Sequence, residues 1–223
     1  MRNEPTHRSE MTNQLLFGDV VELIGSVDGW HRVRSLYDGY EGWVDNKQLE
    51  PCDSIPKTDF IIHSPLCTIE YHGQRLTVPA GSSCRKEWLT DRTDTTTMPA
   101  TACSMARQFL GAPYLWGGRT LMGIDCSGLV QVAFKTIGIP LPRDASQQAL
   151  CGTRIAFEDC RPDDIAFFAN DDNRIVHVGI VAGNDTIIHA SGEVRCDTLD
   201  PTGIFNNSRQ RYSHRLCRIT RVK

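Results

Sequence analysis

The stretch from Tyr114 to Gly128 is the feature that most constrains what this chain of 223 residues can form. It reads Tyr-Leu-Trp-Gly-Gly-Arg-Thr-Leu-Met-Gly-Ile-Asp-Cys-Ser-Gly, and an apolar run with helical spacing follows it. Gly138 and then Pro140 supply a helix stop signal. The pattern therefore predicts a helix that begins at Cys126.

A cysteine at the start of a helix has a setting that suits a nucleophile. The unpaired backbone N–H groups and the macrodipole favour an anion there, so we expect the thiolate of Cys126 to be stabilised relative to a thiol in water. Four glycines fit a tight entry into the helix and space for a substrate backbone: Gly117, Gly118, Gly123 and Gly128. A buried, inert cysteine is the alternative interpretation, and the partners of Cys126 decide between the two.

The two histidines of the C-terminal half that precede the last ten residues are the candidate partners. His177 and His189 lie in β-branched runs separated by the turn sequence Ala-Gly-Asn-Asp, which predicts a hairpin. A loop with an odd number of residues would put both imidazoles on one face, whereas an even-numbered loop would send them to opposite faces. On one face, His177 would take the thiol proton and His189 would fix its tautomer. Taken singly, each of the two histidines is also explained as a hydrogen-bonded polar residue of a half-buried sheet.

Such a constellation performs acyl transfer through a thioester, which is hydrolysis of an amide or ester. The composition of the chain indicates the cellular compartment and excludes several other classes of protein. Nine cysteines without a framework pattern indicate reduced thiols, their spacing does not suit a structural zinc, and a net charge of −3 offers no basic surface for nucleic acid. The N-terminus is polar and no long apolar run exists, so neither a signal peptide nor a membrane span is predicted.

We therefore expect a cytoplasmic enzyme without metal or cofactor. The periplasm or cell envelope is the alternative location if a leader has been removed. We also expect a monomer.

Five ordered blocks in the C-terminal half resemble the NlpC/P60 cysteine peptidases. The blocks are Tyr-x-Trp-Gly-Gly, Asp-Cys-Ser-Gly-Leu-Val, Leu-Pro-Arg-Asp-Ala-Ser-Gln, Arg-Pro-Asp-Asp-Ile-Ala-Phe-Phe, and the pair His-Val-Gly-Ile with Ile-His-Ala-Ser. The resemblance runs from about Met98 to the C-terminus and implies an α+β, papain-like catalytic domain. It makes Cys126 the nucleophile, His177 the base and His189 the orienting residue.

The same resemblance implies further site residues. Tyr114 would stabilise the oxyanion, although a tyrosine in a glycine-rich loop also serves as a packing anchor. The implied substrate contacts in this domain are Trp116, Asp125, Ser127, Arg143 and Ser146. Asp125 and Ser127 are also explained as helix caps. At Ala145 several relatives carry a substrate-contacting serine. Asp163 replaces a glycine that is common in the turn before Asp164.

The N-terminal half has the pattern of a small all-β barrel. Short alternating strands are predicted at Leu15–Ile24, Gly29–Ser35 and Gly39–Val44, divided by glycine and aspartate turns. This half resembles a bacterial SH3 domain. We predict an SH3-like domain with an N-terminal arm at 1–51, a second, degenerate SH3-like unit with its linker at 52–97, and the peptidase domain at 98–223.

Finer signals divide the second unit and the start of the peptidase domain. Strands are predicted near Asp59–Ile62, Cys67–Glu70 and Arg75–Val78. The polar segment 90–99 indicates the linker. A helix is predicted from Thr101 or Ser104 to Gly111.

Peptidases with this layout resemble endopeptidases that hydrolyse the γ-D-Glu–L-diamino acid bond of short cell-wall peptides during recycling. The implied substrate is L-Ala-γ-D-Glu-diamino acid, whose free amine would meet Glu10 and Tyr40 of the first domain. A flexible N-terminal glutamate and a barrel-surface tyrosine are the alternative interpretation. Competing functions are an exported, wall-anchored hydrolase of intact peptidoglycan, an amidase or acyltransferase of the same fold, and a non-catalytic SH3-type binding module.

Overall fold

The computed structural model describes residues 1–90 and 99–223. Most of the predicted linker, and the boundary predicted between residues 97 and 98, fall on residues 91–98, which lie outside these ranges. Three strands form the first sheet: β1 (Val21–Val27), β2 (Trp30–Ser35) and β3 (Glu41–Asp45). They pair antiparallel in the order β1-β2-β3, as the alternating pattern predicted.

The first strand was predicted to begin too early. It starts at Val21 rather than Leu15. Leu16 is 4% exposed and packs in the core of the C-terminal half, so the segment before Val21 serves the contact between the two halves. An apolar run of this kind looks the same in sequence whether it faces its own sheet or another domain.

The second unit contains two antiparallel strand pairs. Its strands are β4 (Phe60–Ile61), β5 (Leu66–Tyr71), β6 (Gln74–Pro79) and β7 (Ser83–Cys84). β4 pairs with β7 and β5 pairs with β6, around a small separate core. All three strands predicted for this unit are confirmed. Short 3-10 helices span Asn46–Gln48, Lys86–Trp88 and Phe157–Asp159.

The C-terminal half combines three helices with a sheet. The helices are α1 (Ala102–Arg107), α2 (Cys126–Thr136) and α3 (Ala145–Gln148). A two-stranded pair, β8 (Arg119–Thr120) and β9 (Gly123–Ile124), lies just before α2. Among the described residues, no helix is long and apolar enough to cross a membrane.

Seven further strands form one large antiparallel sheet. They are β10 (Thr153–Ile155), β11 (Ile165–Ala169), β12 (Ile175–Gly183), β13 (Thr186–Ser191), β14 (Glu193–Leu199), β15 (Gly203–Asn206) and β16 (Arg211–Arg221). Their order is β10-β16-β11-β12-β13-β14-β15, and β15 also pairs with β16. The strands β11 to β16 therefore close into a ring, which brings the last strand beside the predicted histidine hairpin.

The start of α1 follows the sequence signal. Thr101 is the N-cap, and Thr101 and Ser104 form a reciprocal capping box. Asp163 has a φ of 74°, so it adopts the left-handed turn conformation that glycine would take without strain. Its carboxylate accepts the N–H of Cys103 at 2.7 Å, which ties this turn to the first turn of α1.

Helix α2 is buried at all eleven of its positions, including four polar ones. On the side away from the sheet, the Gln131 amide donates to Asp38 Oδ2 at 2.8 Å, and Lys135 Nζ donates to Asp19 Oδ1 at 2.7 Å. The N-terminal domain thus covers the face of α2 that the sheet leaves open. This explains why a helix of one domain needs no solvent-exposed face.

A buried ion cluster joins the two halves of the chain. Asp19 pairs with Lys135 at 2.7 Å and with Arg119 at 3.3 Å, and all three side chains are at most 5% exposed. One carboxylate therefore compensates two cations in a site that water does not reach. A charge left alone in such a site costs more than the pair gains.

Replacing Asp19 should weaken the whole molecule. We expect Asp19→Asn to lower the free energy of unfolding by about 3 kcal/mol, because two buried cations lose their counter-ion. The matched control is Glu22→Gln, which removes an exposed pair with Arg34 and should leave the free energy of unfolding nearly unchanged. Urea denaturation of both variants measures the difference. Equal losses would mean that the cluster does not hold the halves together.

Candidate active site

Cys126 is the first residue of α2, as predicted. Asp125 is the N-cap, and its Oδ1 accepts the Gly128 N–H at 2.7 Å. The space expected for a substrate backbone at the glycines is instead filled by the chain itself. A Cβ at Gly117 would lie 2.7 Å from the carbonyl oxygen of Met11. Glycine is needed there because the N-terminal arm approaches the nucleophile loop so closely.

The electrostatic setting of Cys126 differs from the sequence expectation. Burial, followed by the charge of Asp125, raises the pKa of the Cys126 thiol to about 12. Backbone N–H groups of Val178 and Ser127 act in the opposite direction but are outweighed. The expected stabilisation of the thiolate at the helix N-terminus was therefore wrong, because desolvation of a buried anion exceeds the effect of the helix end. The resting group is a thiol that needs a base.

A β-bulge brings the two histidines together. β12 and β13 are joined by the two-residue turn Asn184–Asp185, and an even-numbered loop alone would place the imidazoles on opposite faces. The register shifts by one between Val181 and Gly183, so both rings lie on one face. His177 Nε2 and His189 Nδ1 are 2.9 Å apart. The expectation for an even loop fails here because the bulge adds one residue to β12.

His177 lies beside the nucleophile. The backbone N–H of Val178, the next residue, hydrogen-bonds the sulfur of Cys126. Burial, then the neighbouring His214 and His189, keep the pKa of His177 well below 6.5, so this imidazole is neutral at neutral pH. A neutral imidazole next to a neutral thiol can act as a general base.

Two residues of this cluster were missed in the sequence. His214, in β16, stacks on His177 with ring centroids 4.0 Å apart and an interplanar angle of 19°. Asp197 Oδ2 lies 3.2 Å from His189 Nε2. Asp197 could have been found from the sequence, because a third strand follows the hairpin directly. In that strand Asp197 lies on the same face of the sheet as His189. His214 lies in the last ten residues, where no histidine was considered.

Three imidazoles in one place raise the question of a metal. Ligand atoms of His177, His189 and His214 lie within 4.8 Å of one another. The near-parallel stack of His177 and His214 directs their nitrogen lone pairs into separate planes rather than to a shared point. This arrangement fits neighbouring rings in a catalytic site better than a converging ligand set.

Tyr114 is half-buried near the nucleophile. Burial, followed by the charges of Cys126 and Asp125, raises the pKa of Tyr114 to about 12. The phenol therefore keeps its proton at neutral pH and is available as a donor. This is the property that an oxyanion-stabilising group requires.

Three predicted substrate contacts bond to one another. Arg143 donates to both oxygens of Asp125, at 3.0 and 2.5 Å, and to Ser127 Oγ at 2.7 Å. Its Nε donates to Asn13 Oδ1 at 2.8 Å, and Arg143 is 2% exposed. The structure thus gathers Asp125, Ser127 and Arg143 into a buried network that orients the start of α2 and binds it to the N-terminal arm.

The remaining predicted residues lie at the surface or at its edge. Trp116 is 58% exposed, and its indole N–H donates to Glu10 Oε1 at 2.6 Å. Tyr40 is half-buried, burial raises its pKa, and its hydroxyl contacts Thr12. Ser146 is exposed in α3. Glu10 and Trp116 are brought together, across a domain boundary.

Comparisons with known proteins agree with this geometry. The sequence profile of the NlpC/P60 family matches residues 111–212, and the profile described as the bacterial dipeptidyl-peptidase SH3 domain matches residues 1–49. A crystal structure of an NlpC/P60 family protein from Bacillus cereus superposes with a TM-score of 0.76 and 23% identity. It covers 94% of this chain and 81% of that chain, which establishes the fold.

Two curated relatives are similar in sequence. A γ-D-glutamyl-L-lysine dipeptidyl-peptidase of Bacillus cereus is 26% identical over 242 residues, which are 88% of this chain and 72% of the relative. One of Bacillus subtilis is 42% identical over 84 residues, which are 37% of this chain and only 28% of the relative. The chain therefore contains an NlpC/P60 cysteine peptidase domain at residues 111–212 and a bacterial dipeptidyl-peptidase SH3 domain at residues 1–49.

The buried imidazoles should make stability depend on pH. Burial, followed by the charge of His189, lowers the pKa of His214 to about 4, whereas an unfolded histidine titrates near 6.5. Below pH 6.5 the unfolded chain binds protons that the folded chain excludes, so the free energy of unfolding should fall between about pH 6.5 and pH 4.

His214→Gln should make this fall shallower because one such histidine is removed. Urea denaturation at several pH values provides the measurement. His72→Gln, at an exposed position, is the matched control. An unchanged slope in His214→Gln would contradict the assignment of a neutral, half-buried His214.

Proposed function

We propose that this peptidase hydrolyses the γ-D-Glu–L-diamino acid bond of short cell-wall peptides that carry a free N-terminal L-Ala. The observation that carries the proposal is the contact between Glu10 and Trp116, which puts a carboxylate of the first domain beside the nucleophile loop. The relatives named γ-D-glutamyl-L-lysine dipeptidyl-peptidases support it, because one of them aligns with most of this chain.

Glu10 has the chemistry to receive an ammonium group. Oε1 accepts the indole N–H of Trp116, and within the described part of the chain Oε2 accepts no hydrogen bond. The side chain is exposed, so a substrate can reach it. A carboxylate held by one bond offers its second oxygen to a cation at little cost in side-chain entropy. Tyr40, whose hydroxyl contacts Thr12 two residues further along the same arm, is the second group of the proposed amine subsite.

The proposed reaction begins at Cys126. His177 takes the thiol proton as the sulfur attacks the γ-carbonyl carbon, and the oxygen becomes an oxyanion. Backbone N–H groups at the start of α2 and the Tyr114 hydroxyl donate to this oxyanion. The imidazolium of His177 then protonates the leaving amine of the diamino acid, and the C–N bond breaks. His177 next activates a water that hydrolyses the thioester, which releases L-Ala-D-Glu and restores the thiol.

The position of the N-terminal domain supports a short peptide, rather than a polymer, as the substrate. The N-terminal arm lies against the nucleophile loop and the SH3 domain covers one side of α2, so the substrate chain ends at the arm. The helix-borne cysteine opposite strand-borne histidines supports the papain-like assignment of the catalytic domain. Recycling in the cytoplasm and a monomeric state belong to the same proposal.

The nucleophile assignment is tested by Cys126→Ala. We expect loss of more than nine-tenths of the cleavage of L-Ala-γ-D-Glu-meso-diaminopimelate, measured by mass spectrometry, because Cys126 is the thiol that the proposed base His177 serves. Circular dichroism should show an unchanged fold. Cys52→Ala, at an exposed position, is the control and should keep full activity. Retention of a tenth of the wild-type rate in Cys126→Ala would exclude this nucleophile.

The amine subsite is tested by Glu10→Gln, which keeps the acceptor for Trp116 and removes the charge. We expect kcat/KM to fall about 10- to 100-fold on the free-amine peptide, the value of one charge-assisted hydrogen bond, and much less on its N-acetylated form. Glu4→Gln, on the same arm and exposed, is the control. Equal losses on both peptides would remove the amine subsite, and cleavage of intact peptidoglycan by the wild type would favour the wall-hydrolase alternative.

A further inference from the structure

A chain of three buried polar groups runs from β12 to β14 behind the nucleophile. His177 Nε2 lies 2.9 Å from His189 Nδ1, and His189 Nε2 lies 3.2 Å from Asp197 Oδ2. The side chains of His189 and Asp197 are completely excluded from water. Because buried polar groups must satisfy one another, each link of this chain constrains the next.

Asp197 is held as a carboxylate by its surroundings. Burial acts to raise its pKa, but hydrogen bonds from His189, Arg195 and the Asn207 N–H outweigh it and lower the pKa to about 2. Arg195 binds in a fork, with Nε at 2.7 Å from Oδ2 and Nη2 at 3.1 Å from Oδ1. An ionised carboxylate can only accept hydrogen bonds.

The position of the proton on each imidazole follows from the ionised carboxylate of Asp197. His189 must carry its hydrogen on Nε2, because Asp197 can only accept. In the tautomer pair that this geometry allows, His189 has its single N–H on Nε2 and accepts through Nδ1, and His177 Nε2 donates to it. His177 is neutral as well, so its lone pair lies on Nδ1.

The nitrogen left with a lone pair is the one nearer the backbone segment that contacts the nucleophile. Nδ1 is attached to the ring carbon nearest the backbone, and the backbone N–H of Val178 hydrogen-bonds the sulfur of Cys126. His214 contacts only the face of the His177 ring and bonds through its own Nδ1 to Ser213 Oγ, so it does not compete for either nitrogen.

We propose that Asp197 is a positioning residue of this active site, which sets the tautomers of His189 and His177 in turn and leaves His177 Nδ1 as the base for Cys126. This inference rests on the role of His177 in the proposed function. When His177 takes the thiol proton, the imidazolium formed is hydrogen-bonded through His189 to a negative charge, which stabilises it. Arg195 keeps Asp197 in the orientation that the relay requires.

The test compares Asp197→Asn with Asp200→Asn. Asparagine has the shape of aspartate but turns one acceptor into a donor, so an amide N–H that faces His189 reverses both tautomers and puts a proton on His177 Nδ1. Asp200, near the other end of β14, accepts from Tyr212 and Thr202 and has no hydrogen bond to either histidine. It is the matched control.

We expect Asp197→Asn to lower kcat about 10- to 100-fold on the free-amine peptide, with KM within about twofold of wild type, since the group acts on the base and not on the substrate. Asp200→Asn should keep the wild-type kcat. A kcat of Asp197→Asn within about twofold of wild type would overturn the proposal.

A spectroscopic readout separates tautomer control from simple loss of structure. In protein labelled with 15N-histidine, the NMR spectrum should show His177 and His189 protonated at Nε2 in the wild type and at least partly at Nδ1 in Asp197→Asn. His177→Gln and His189→Gln assign the signals. A wild-type His189 that carries a proton on Nδ1 would overturn the proposal, as would a slow Asp197→Asn enzyme whose tautomers are unchanged.

These readouts also separate this inference from the proposed function. If the wild type fails to cleave the peptide, the substrate assignment is wrong, while the wild-type tautomers still decide the role of Asp197. The wild-type spectrum is decisive even if Asp197→Asn does not fold.

Discussion

The structure depends on the hydrogen bonds that the carboxylate of Asp125 accepts at the start of α2. It accepts the N–H groups of Gly128 and Gly117 and both arms of the Arg143 guanidinium, all in a buried site. Arg143 continues the network to Asn13 of the N-terminal arm. One charged cap therefore orients the first turn that carries Cys126, shapes the glycine loop before it and attaches the arm. The position of the nucleophile and the attachment of the first domain are consequences of the same interaction.

Burial gives this active site its chemical character. Desolvation keeps both Cys126 and His177 neutral at rest, so the reaction starts with a proton transfer rather than from a preformed ion pair. In such surroundings a hydrogen bond to a developing charge is worth more than in water, and a misplaced proton costs more. The site therefore requires defined partners for its ring nitrogens, and the β12–β14 face supplies those of His177 Nε2 and of both nitrogens of His189.

The N-terminal domain is a structural part of the peptidase. Helix α2 has no exposed face, and the polar groups on its outer side find their partners on Asp19 and Asp38 of the first domain. The same domain supplies Glu10 to the nucleophile loop. A module that only bound the cell wall would need none of these buried contacts. The two parts therefore form one hydrophobic and polar core across their boundary.

The sequence by itself determined the features that a few neighbouring residues control. The helix start at Cys126, the start of α1 at Thr101 or Ser104 and the β-branched hairpin follow from caps, periodicity and turn chemistry. Only the tertiary structure decided the bulge at Ala182 that unites the histidines, and the partners Asp197 and His214 from later strands. Desolvation at Cys126 was likewise beyond the local pattern. Register, burial and cross-strand contacts depend on groups distant in the chain, and no local periodicity records them.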